Sequence, residues 1–527
     1  MATPTHAGAD AHAPFRNEIV LDFSQEENAR KMREAIAQVR KELGREYPLV
    51  IGGKRIQTDE KIKSLNPAKP SEVVGIHQKA SAAHVEPAMQ AALTAFASWS
   101  LTPWEQRAAL LFRTAEIIRK RRFEFDAWLV FEVAKNFAEA DADVCETIDF
   151  LEFYAREALK LAKAEPAVQL PGERDTLQYI PLGVGAVIPP WNFPCAIMAG
   201  MTTAAIVCGN TVILKPSSDS PTIAAKFYEV LEEAGVPAGV VNFCPGAGNT
   251  FGNAVVMHPK TRFVAFTGSR DVGLDIHHRA AAPQKGQIWI KRTILEMGGK
   301  DAIIVDSEAD LDSAADGVVT SAFGFQGQKC SACSRAIVDE KIYDQFVEKL
   351  RARVEKIAVG DPTANAAVCA VINEAAMKSI LNYIEIGKKE GRVINGGGRD
   401  TKAGDGYFVQ PTVIADVAPT GRLAQEEIFG PVLAVIKSKN YDDALAIANN
   451  TEYGLTGAVY TKNPEKIERA KREFFVGNLY INRKCTGAMV GAHPFGGFNM
   501  SGTDSKAGGA DYLYLFTQAK SIGQKIS

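Results

Sequence analysis

What this chain lacks narrows it quickly. Nowhere in its 527 residues is there an apolar run approaching the roughly 20 positions that a membrane-crossing helix requires. Net charge is nearly absent: 60 Lys and Arg face 62 Asp and Glu, a formal balance of -2. A nucleic-acid partner would select a basic excess or stripe, and the one dense basic stretch, "RKRRFEF" (119–125), reads as the solvated face of a helix. The first twenty residues have neither the basic start and apolar core of a secretory signal nor the Arg-rich character of a transit peptide, so a cytoplasmic location is expected. Cysteines number eight and are scattered, several in apolar runs such as "AAIVCGN" and "VVNFCPG". That fits a reduced chain better than a disulfide framework. No internal period of roughly 20–50 residues signals a solenoid.

What is present is an ordinary globular balance, 46% apolar and 23% charged, in a chain long enough for two or three domains. Residues 24–43 and 81–163 place apolar side chains at helical spacing. The segment 165–180, "EPAVQLPGERDTLQYI", has extended character around a "PGERD" turn and reads as a hairpin. From 182 to 270 short apolar strands alternate with helices; one helix is marked by Ser220 as a cap, Pro221 at its first position and Gly235 at its end. A second αβ series runs from about 300 to 480. Such alternation implies parallel sheets covered on both faces, with ligands at the carboxyl ends of the strands. The ending "YLYLFTQAKSIGQ" alternates and reads as a strand that could pair with the hairpin of a partner subunit, since an open edge invites association.

The stretch "FGFQGQKCSACSR" (323–335) places Cys330 and Cys333 three positions apart. A zinc site needs a second ligand pair, and the other six cysteines and the adjacent His277–His278 do not form one, so no metal is expected. A dithiol redox pair would open a helix after a thioredoxin-type strand, and that context is weak here. What remains is one functional thiol, which needs a base and oxyanion donors. Glu296 in "TILEMGGKDA" sits on a flexible corner and is a reasonable base, or simply a surface Glu before a turn. Four loops end consecutive strands: "PPWNFP" (189–194), with an amide at Asn192; "KPS" (215–217), with Lys215; "GAGNTFG" (246–252); and "FTGS" (266–269). Small residues opening a helix can present N–H groups to a pyrophosphate. Each loop is weak evidence alone, but four at one sheet edge are much more specific.

Together with "EEIFGPV" (426–432), "YGLTGAVYT" (453–461), "GNLYINR" (477–483) and "PFGGFNMSG" (494–502), these motifs resemble the aldehyde dehydrogenase superfamily over roughly residues 40–525. The resemblance implies an α/β fold: a Rossmann-type cofactor domain (1–164 and 183–295, with an N-terminal arm), an α/β catalytic domain (296–495), and a small β oligomerisation flap (165–182 and 496–527). It implies Cys330 as nucleophile with Cys333 a packed bystander, Glu296 as general base, and Asn192 with the Cys330 N–H as the oxyanion hole. For the cofactor, NAD, it implies a site built from Pro190, Trp191, Lys215, Ser217, Ser218, Gly246, Gly268, Ser269, Glu427 and Phe429, with Lys215 and Glu427 on the two riboses and Ser269 on the pyrophosphate.

Within the superfamily, "FRNEIVLDF" (15–23), "VAKNFAEADADVCETIDFLEFYARE" (133–157) and "TGAMVG" (486–491) resemble the branch that oxidises L-glutamate γ-semialdehyde. That branch implies N–H groups of Gly487 and Ala488 on the α-carboxylate, the Ser331 hydroxyl beside them, Phe193 and Phe495 lining the carbon chain, and Glu146 near the α-ammonium. It also implies a homo-oligomer, a dimer or a multiple of dimers, and a transient contact with a proline dehydrogenase. Another small semialdehyde, such as succinic semialdehyde, is the alternative substrate. An acylating enzyme using coenzyme A, or an inactive relative, would not need Glu296, Cys330 and Asn192 together. Ser218 stands where many relatives carry Glu; without that carboxylate to repel a 2′-phosphate, NADP tolerance is expected. Cys485 and Thr486 stand where Ser-Thr is common.

Overall fold

The computed structural model describes residues 14–166 and 168–526. Two seven-stranded sheets carry the chain, each built around short central strands that are apolar on both faces because helices cover both. The first runs in the order Arg292–Glu296, Thr261–Thr267, Val184–Ile188, Thr211–Leu214, Val241–Phe243, Leu49–Ile51 and Lys54–Ile56. Its first five strands are parallel, Leu49–Ile51 runs antiparallel to them, and Lys54–Ile56 pairs antiparallel with Leu49–Ile51. Helices Trp104–Lys120, Phe137–Leu161, Ala196–Val207 and Pro221–Ala234 cover one face, and Val85–Trp99 and Arg270–Ala281 the other. The second sheet runs Arg392–Asn395, Thr412–Ala415, Val432–Ser438, Cys333–Asp339, Asp301–Val305, Thr456–Tyr460 and Asn478–Ile481, parallel except for its first strand.

Three sequence expectations change. Residues 165–180 are not a local hairpin. Glu173–Pro181 is one strand, and its antiparallel partner is Thr517–Lys525 of the same chain. The turn before it is closed by side chains: the Gln169 amide donates to Asp175 O and accepts the Asp175 N–H, and the Asp175 carboxylate accepts the Leu170 N–H, so no second local strand forms. The expected terminal strand is shorter than the alternation suggests: Tyr512–Phe516 forms a 3-10 turn, because Tyr512, Leu513 and Phe516 all turn into the core. Ser220 does not cap the helix Pro221–Ala234. Buried Glu132 does so from another helix, accepting the N–H groups of Thr222 and Ile223 at 2.7 Å each. Residues 45–78, for which the sequence yielded no expectation, form strands that extend the first sheet and build a separate three-stranded one.

The strand order of the first sheet reverses between Val184–Ile188 and Thr261–Thr267. Their carboxyl ends carry "PPWNFP" and "FTGS", so the crevice where an open α/β sheet takes its ligand lies between those two loops. The second sheet turns the other edge toward the same crevice. Asp301 and Cys333, paired across its two central strands, begin those strands.

Close packing in this sheet is testable at Gly185. A Cβ there would lie 2.0 Å from Phe263 Cζ. Gly185→Ala is expected to cost about 1–3 kcal/mol, with part recovered in the double change with Phe263→Leu. Denaturant unfolding of the variants measures this.

Candidate active site

The site forms where the two sheets meet. Arg292–Glu296 ends the first sheet, four residues follow, and Asp301 opens the second. Two of the four are Gly298 and Gly299. A Cβ on Gly298 would lie 2.2 Å from Glu427 Oε2, and one on Gly299 would lie 2.5 Å from the carbonyl oxygen of Cys330. The crossing therefore takes two residues without side chains, and this lets the loops carrying Cys330 and Glu427 close on it. The Gly299 N–H donates to Glu427 Oε1 at 3.0 Å.

Cys330 is half-buried and follows a left-handed stretch, with φ of 49° at Phe325, 57° at Gln326 and 66° at Gly327. Two bulky residues in that region carry roughly 1–3 kcal/mol of strain each, held by surrounding contacts. The Gln326 amide donates to Ala370 O (3.0 Å) and Ala134 O (3.3 Å), which fixes the loop. Asn192 donates Nδ2–H to Gln328 O at 3.1 Å. One amide hydrogen is thus committed beside the loop that carries Cys330, and the other is left for a ligand. Cys333 is buried with its strand, and Cys485 fills the space beside it, its thiol 3.4 Å from Ser331 O. The Cys485–Thr486 departure is thereby a packing element at the foot of the "TGAMVG" loop.

Electrostatics favour protons here. Burial, and then Asp301, Glu427 and Glu296, push the Cys330 thiol well above its ordinary value. Burial likewise pushes Glu296 up to about 8 and Glu427 up to about 7. Ser505 Oγ donates to Glu296 Oε1 and opposes that rise, while Oε2 has no partner among the described residues. Sequence reasoning missed Ser505, since nothing in "GTDSKAGG" marks it. It also missed Asp301 and Lys300, although "KD" directly follows the two glycines; burial, then Arg335, lowers Lys300 to about 7.

The expected cofactor residues lie along the crevice. Trp191 packs edge-on against Phe429, with centroids 5.5 Å apart, joining the two loops that flank it. Lys215 is buried, bonds the carbonyl of Pro216 at 3.1 Å, and is pushed down to about 8 by burial. Ser217 accepts the N–H of Asp219, and Ser218 is exposed. Gly246 bridges to Ala80, and a Cβ there would meet Ala80 O at 2.8 Å. Gly268 donates its N–H to Glu296 O, and exposed Ser269 begins the helix Arg270–Ala281 without a side-chain cap bond. Pro190 lies with Trp191 on the same loop. These residues fit a dinucleotide: a helix start with free N–H groups, a buried lysine with donors to spare, and Glu427 Oε2 open to a hydroxyl.

On the substrate side, Phe193 lies 6.2 Å from Phe325, ring to ring, with Lys135 Nζ 3.9 Å from its centroid. Lys135 pairs with Asp143 in full burial. Glu146, one turn along that helix, is raised to about 8 by burial and by Asp143 and Asp149. Ser331 accepts Thr456 Oγ1–H on its carbonyl. Gly487 is exposed and Ala488 half-buried on their loop, and Phe495 exchanges backbone bonds of 2.8 Å with Ala507. Among the described residues no cluster of three metal-ligating side chains occurs, and all eight cysteines are free.

A sequence profile described as "Aldehyde dehydrogenase family" matches residues 55–522, and the chain belongs to this family. It is 57% identical over 513 residues to the 1-pyrroline-5-carboxylate dehydrogenase of Geobacillus thermodenitrificans (strain NG80-2), spanning 97% of this chain and 99% of that one. A crystal structure of 1-pyrroline-5-carboxylate dehydrogenase from Thermus with bound NAD is 51% identical and superposes with a TM-score of 0.96, covering 97% of this chain and 99% of that one. The structure of proline utilization A from Bdellovibrio bacteriovorus is 46% identical with a TM-score of 0.95, covering 99% of this chain and 54% of that one.

Three outcomes follow from the geometry. Gly298→Ala displaces the Glu427 carboxylate and is expected to raise the KM for NAD, read from initial rates. With Glu296 as the general base that the resemblance implies, its base form grows as pH rises through about 8, and the step that depends on that base is expected to accelerate across that range. Ser505→Ala removes the bond that opposes the rise and moves this limb to higher pH, read from the pH profile of single turnovers.

Proposed function

We propose that this chain oxidises L-glutamate γ-semialdehyde, the hydrolysed form of 1-pyrroline-5-carboxylate, to L-glutamate with NAD, the second step of proline catabolism. The observation that carries this reading is the near full-length identity to 1-pyrroline-5-carboxylate dehydrogenases. It is supported by an aldehyde dehydrogenase site whose far end offers a short backbone loop rather than an apolar funnel. Backbone N–H groups of Gly487 and Ala488 suit a carboxylate, and an ammonium beside Glu146 would favour its charged form against the burial that raises it to about 8. Phe193 and Phe495 border the carbon chain between them, and the Ser331 hydroxyl adds a donor.

In this mechanism the Cys330 thiol first gives its proton to the base form of Glu296, which passes it to solvent, and the thiolate Sγ attacks the aldehyde carbon. The carbonyl electron pair moves to oxygen, where the second amide hydrogen of Asn192 and the N–H of Cys330 hold it. Bound nicotinamide supplies the hydride acceptor that turns this adduct into a thioester. Lys215, Ser269 and Glu427 would hold the dinucleotide, and Phe429 and Trp191 would pack against it. Glu296 then takes a proton from water as the water oxygen attacks the thioester carbon, and the C–S bond breaks to release the carboxylate. The Glu296 oxygen without a partner is the one free to accept that proton. The exposed position of Ser218 accords with tolerance of a 2′-phosphate, and hence of NADP.

The boundaries given for the cofactor domain, catalytic domain and flap belong to this proposal, as do a homo-oligomer built through the flap, a cytoplasmic location and a transient contact with a proline dehydrogenase. The open edges of the Glu173–Pro181 and Thr517–Lys525 pair support the oligomer. No described helix is long and apolar enough to cross a membrane.

Absorbance of reduced nicotinamide, followed with pyrroline-5-carboxylate and with succinic semialdehyde, tests the assignment. Preferred turnover of the first supports it; equal or better turnover of the second overturns it. Cys330→Ala is expected to abolish oxidation. Glu296→Gln is expected to give a burst of reduced cofactor and then slow hydrolysis, and a linear trace at unchanged rate removes its assigned role.

A further inference from the structure

The segment "FRNEIVLDF" takes no part in the mechanism above, yet it bonds both elements assigned there to the substrate's amino-acid end. Residues 14–22 have no regular secondary structure, so side chains and ion pairs must fix them. Glu18 pairs with Arg119 at 3.1 Å and Arg122 at 3.7 Å. Arg122 donates to Ile19 O, and the Leu21 N–H donates to Asp141, both at 2.7 Å. The arm is thereby fastened along the helix Phe137–Leu161, the helix that carries Glu146.

Asn17 then reaches across. Its Nδ2 donates to Asp149 Oδ2 at 2.8 Å and to Val490 O at 3.0 Å. The Glu18 N–H takes the other Asp149 oxygen at 2.7 Å. Asp149 lies one turn beyond Glu146 on the same helix. Val490 lies two residues beyond Ala488 on the loop whose N–H groups face the α-carboxylate in the proposed function. Phe15 packs edge-on against Phe153 of that helix at 5.2 Å, and a Cβ on Gly491 would lie 3.3 Å from Phe15 and 3.2 Å from Phe153. Gly491 has φ of 78° and donates its N–H to Gly508 O at 2.8 Å, so the end of the loop is seated on those two rings.

We propose that the N-terminal arm is a spacer for the substrate's amino-acid end: Asn17, bridging Asp149 and Val490, sets the separation between the Glu146 helix and the Gly487–Ala488 loop. This rests on the substrate assignment above. Asn17 is a positioning residue that touches no reacting atom. It governs recognition of a ligand bearing both an ammonium and a carboxylate, and it leaves the thiol chemistry alone. A plain aldehyde, which uses neither group, is indifferent to it.

The test compares the full-length chain with its Asn17→Ala variant, using pyrroline-5-carboxylate and propanal as alternative substrates with NAD. Expected is a rise of about tenfold in KM for pyrroline-5-carboxylate, the equivalent of about 1.4 kcal/mol, with kcat and the KM values for propanal and NAD unchanged. An unchanged KM for pyrroline-5-carboxylate, or an equal rise for propanal, overturns the proposal. Melting temperatures are read alongside. If Asn17→Ala does not fold, Asn17→Asp keeps the shape, removes the donor and is held to the same split between substrates. A wild-type chain that ignores pyrroline-5-carboxylate overturns the substrate assignment and the spacer together. Wild-type turnover with a flat variant KM overturns the spacer alone.

Discussion

The site depends on one steric constraint: the crossing from the first sheet to the second is four residues long and must be nearly bare. Glu296 is the last residue of one sheet and Asp301 the first of the other. Between them, Gly298 and Gly299 admit the Glu427 carboxylate and the Cys330 carbonyl at distances no side chain would allow. The candidate base, nucleophile and ribose ligand come from three distant parts of the sequence. They are held in register because all three meet this short bridge. The Met297 N–H, bonded to Ser501 O at 2.7 Å, ties the "PFGGFNMSG" loop to it as well.

The same crowding sets the resting charge. Three carboxyl groups and one thiol share a space with little water, and low dielectric makes each additional anion costly. The groups answer by keeping protons. Buried Lys300 is lowered by the same loss of solvent, and Arg335 spends its guanidinium on the carbonyls of Lys300, Ile447 and Ala448. The site at rest is therefore closer to neutral than its inventory of acids suggests.

Much of this was legible in the sequence. The alternation of short apolar strands and helices over 182–270 and 300–480 announced two parallel sheets, and motif order placed Asn192, Lys215, Gly246 and Ser269 on loops at one edge. What was not legible depended on partners far along the chain. "PGERD" looks like a hairpin turn because local residue types favour one, but the partner of Glu173–Pro181 is the far end of the chain. Ser220 is a good cap by type; Glu132, which does the work, lies on another helix with no local signal. Ser505 and Asn17 are ordinary residues in ordinary contexts, and only the folded distances show what they touch.

That late pairing bears on how the polypeptide is made. Glu173–Pro181 leaves the ribosome long before Thr517–Lys525 does. At about 5–20 residues per second, the nascent strand waits for roughly tens of seconds without its mate. Throughout that wait it is a free nine-residue edge, open to the same strand on a neighbouring nascent chain of the polysome. Its start, Glu173-Arg174-Asp175, is charged, and charge of that kind blunts an unpaired edge.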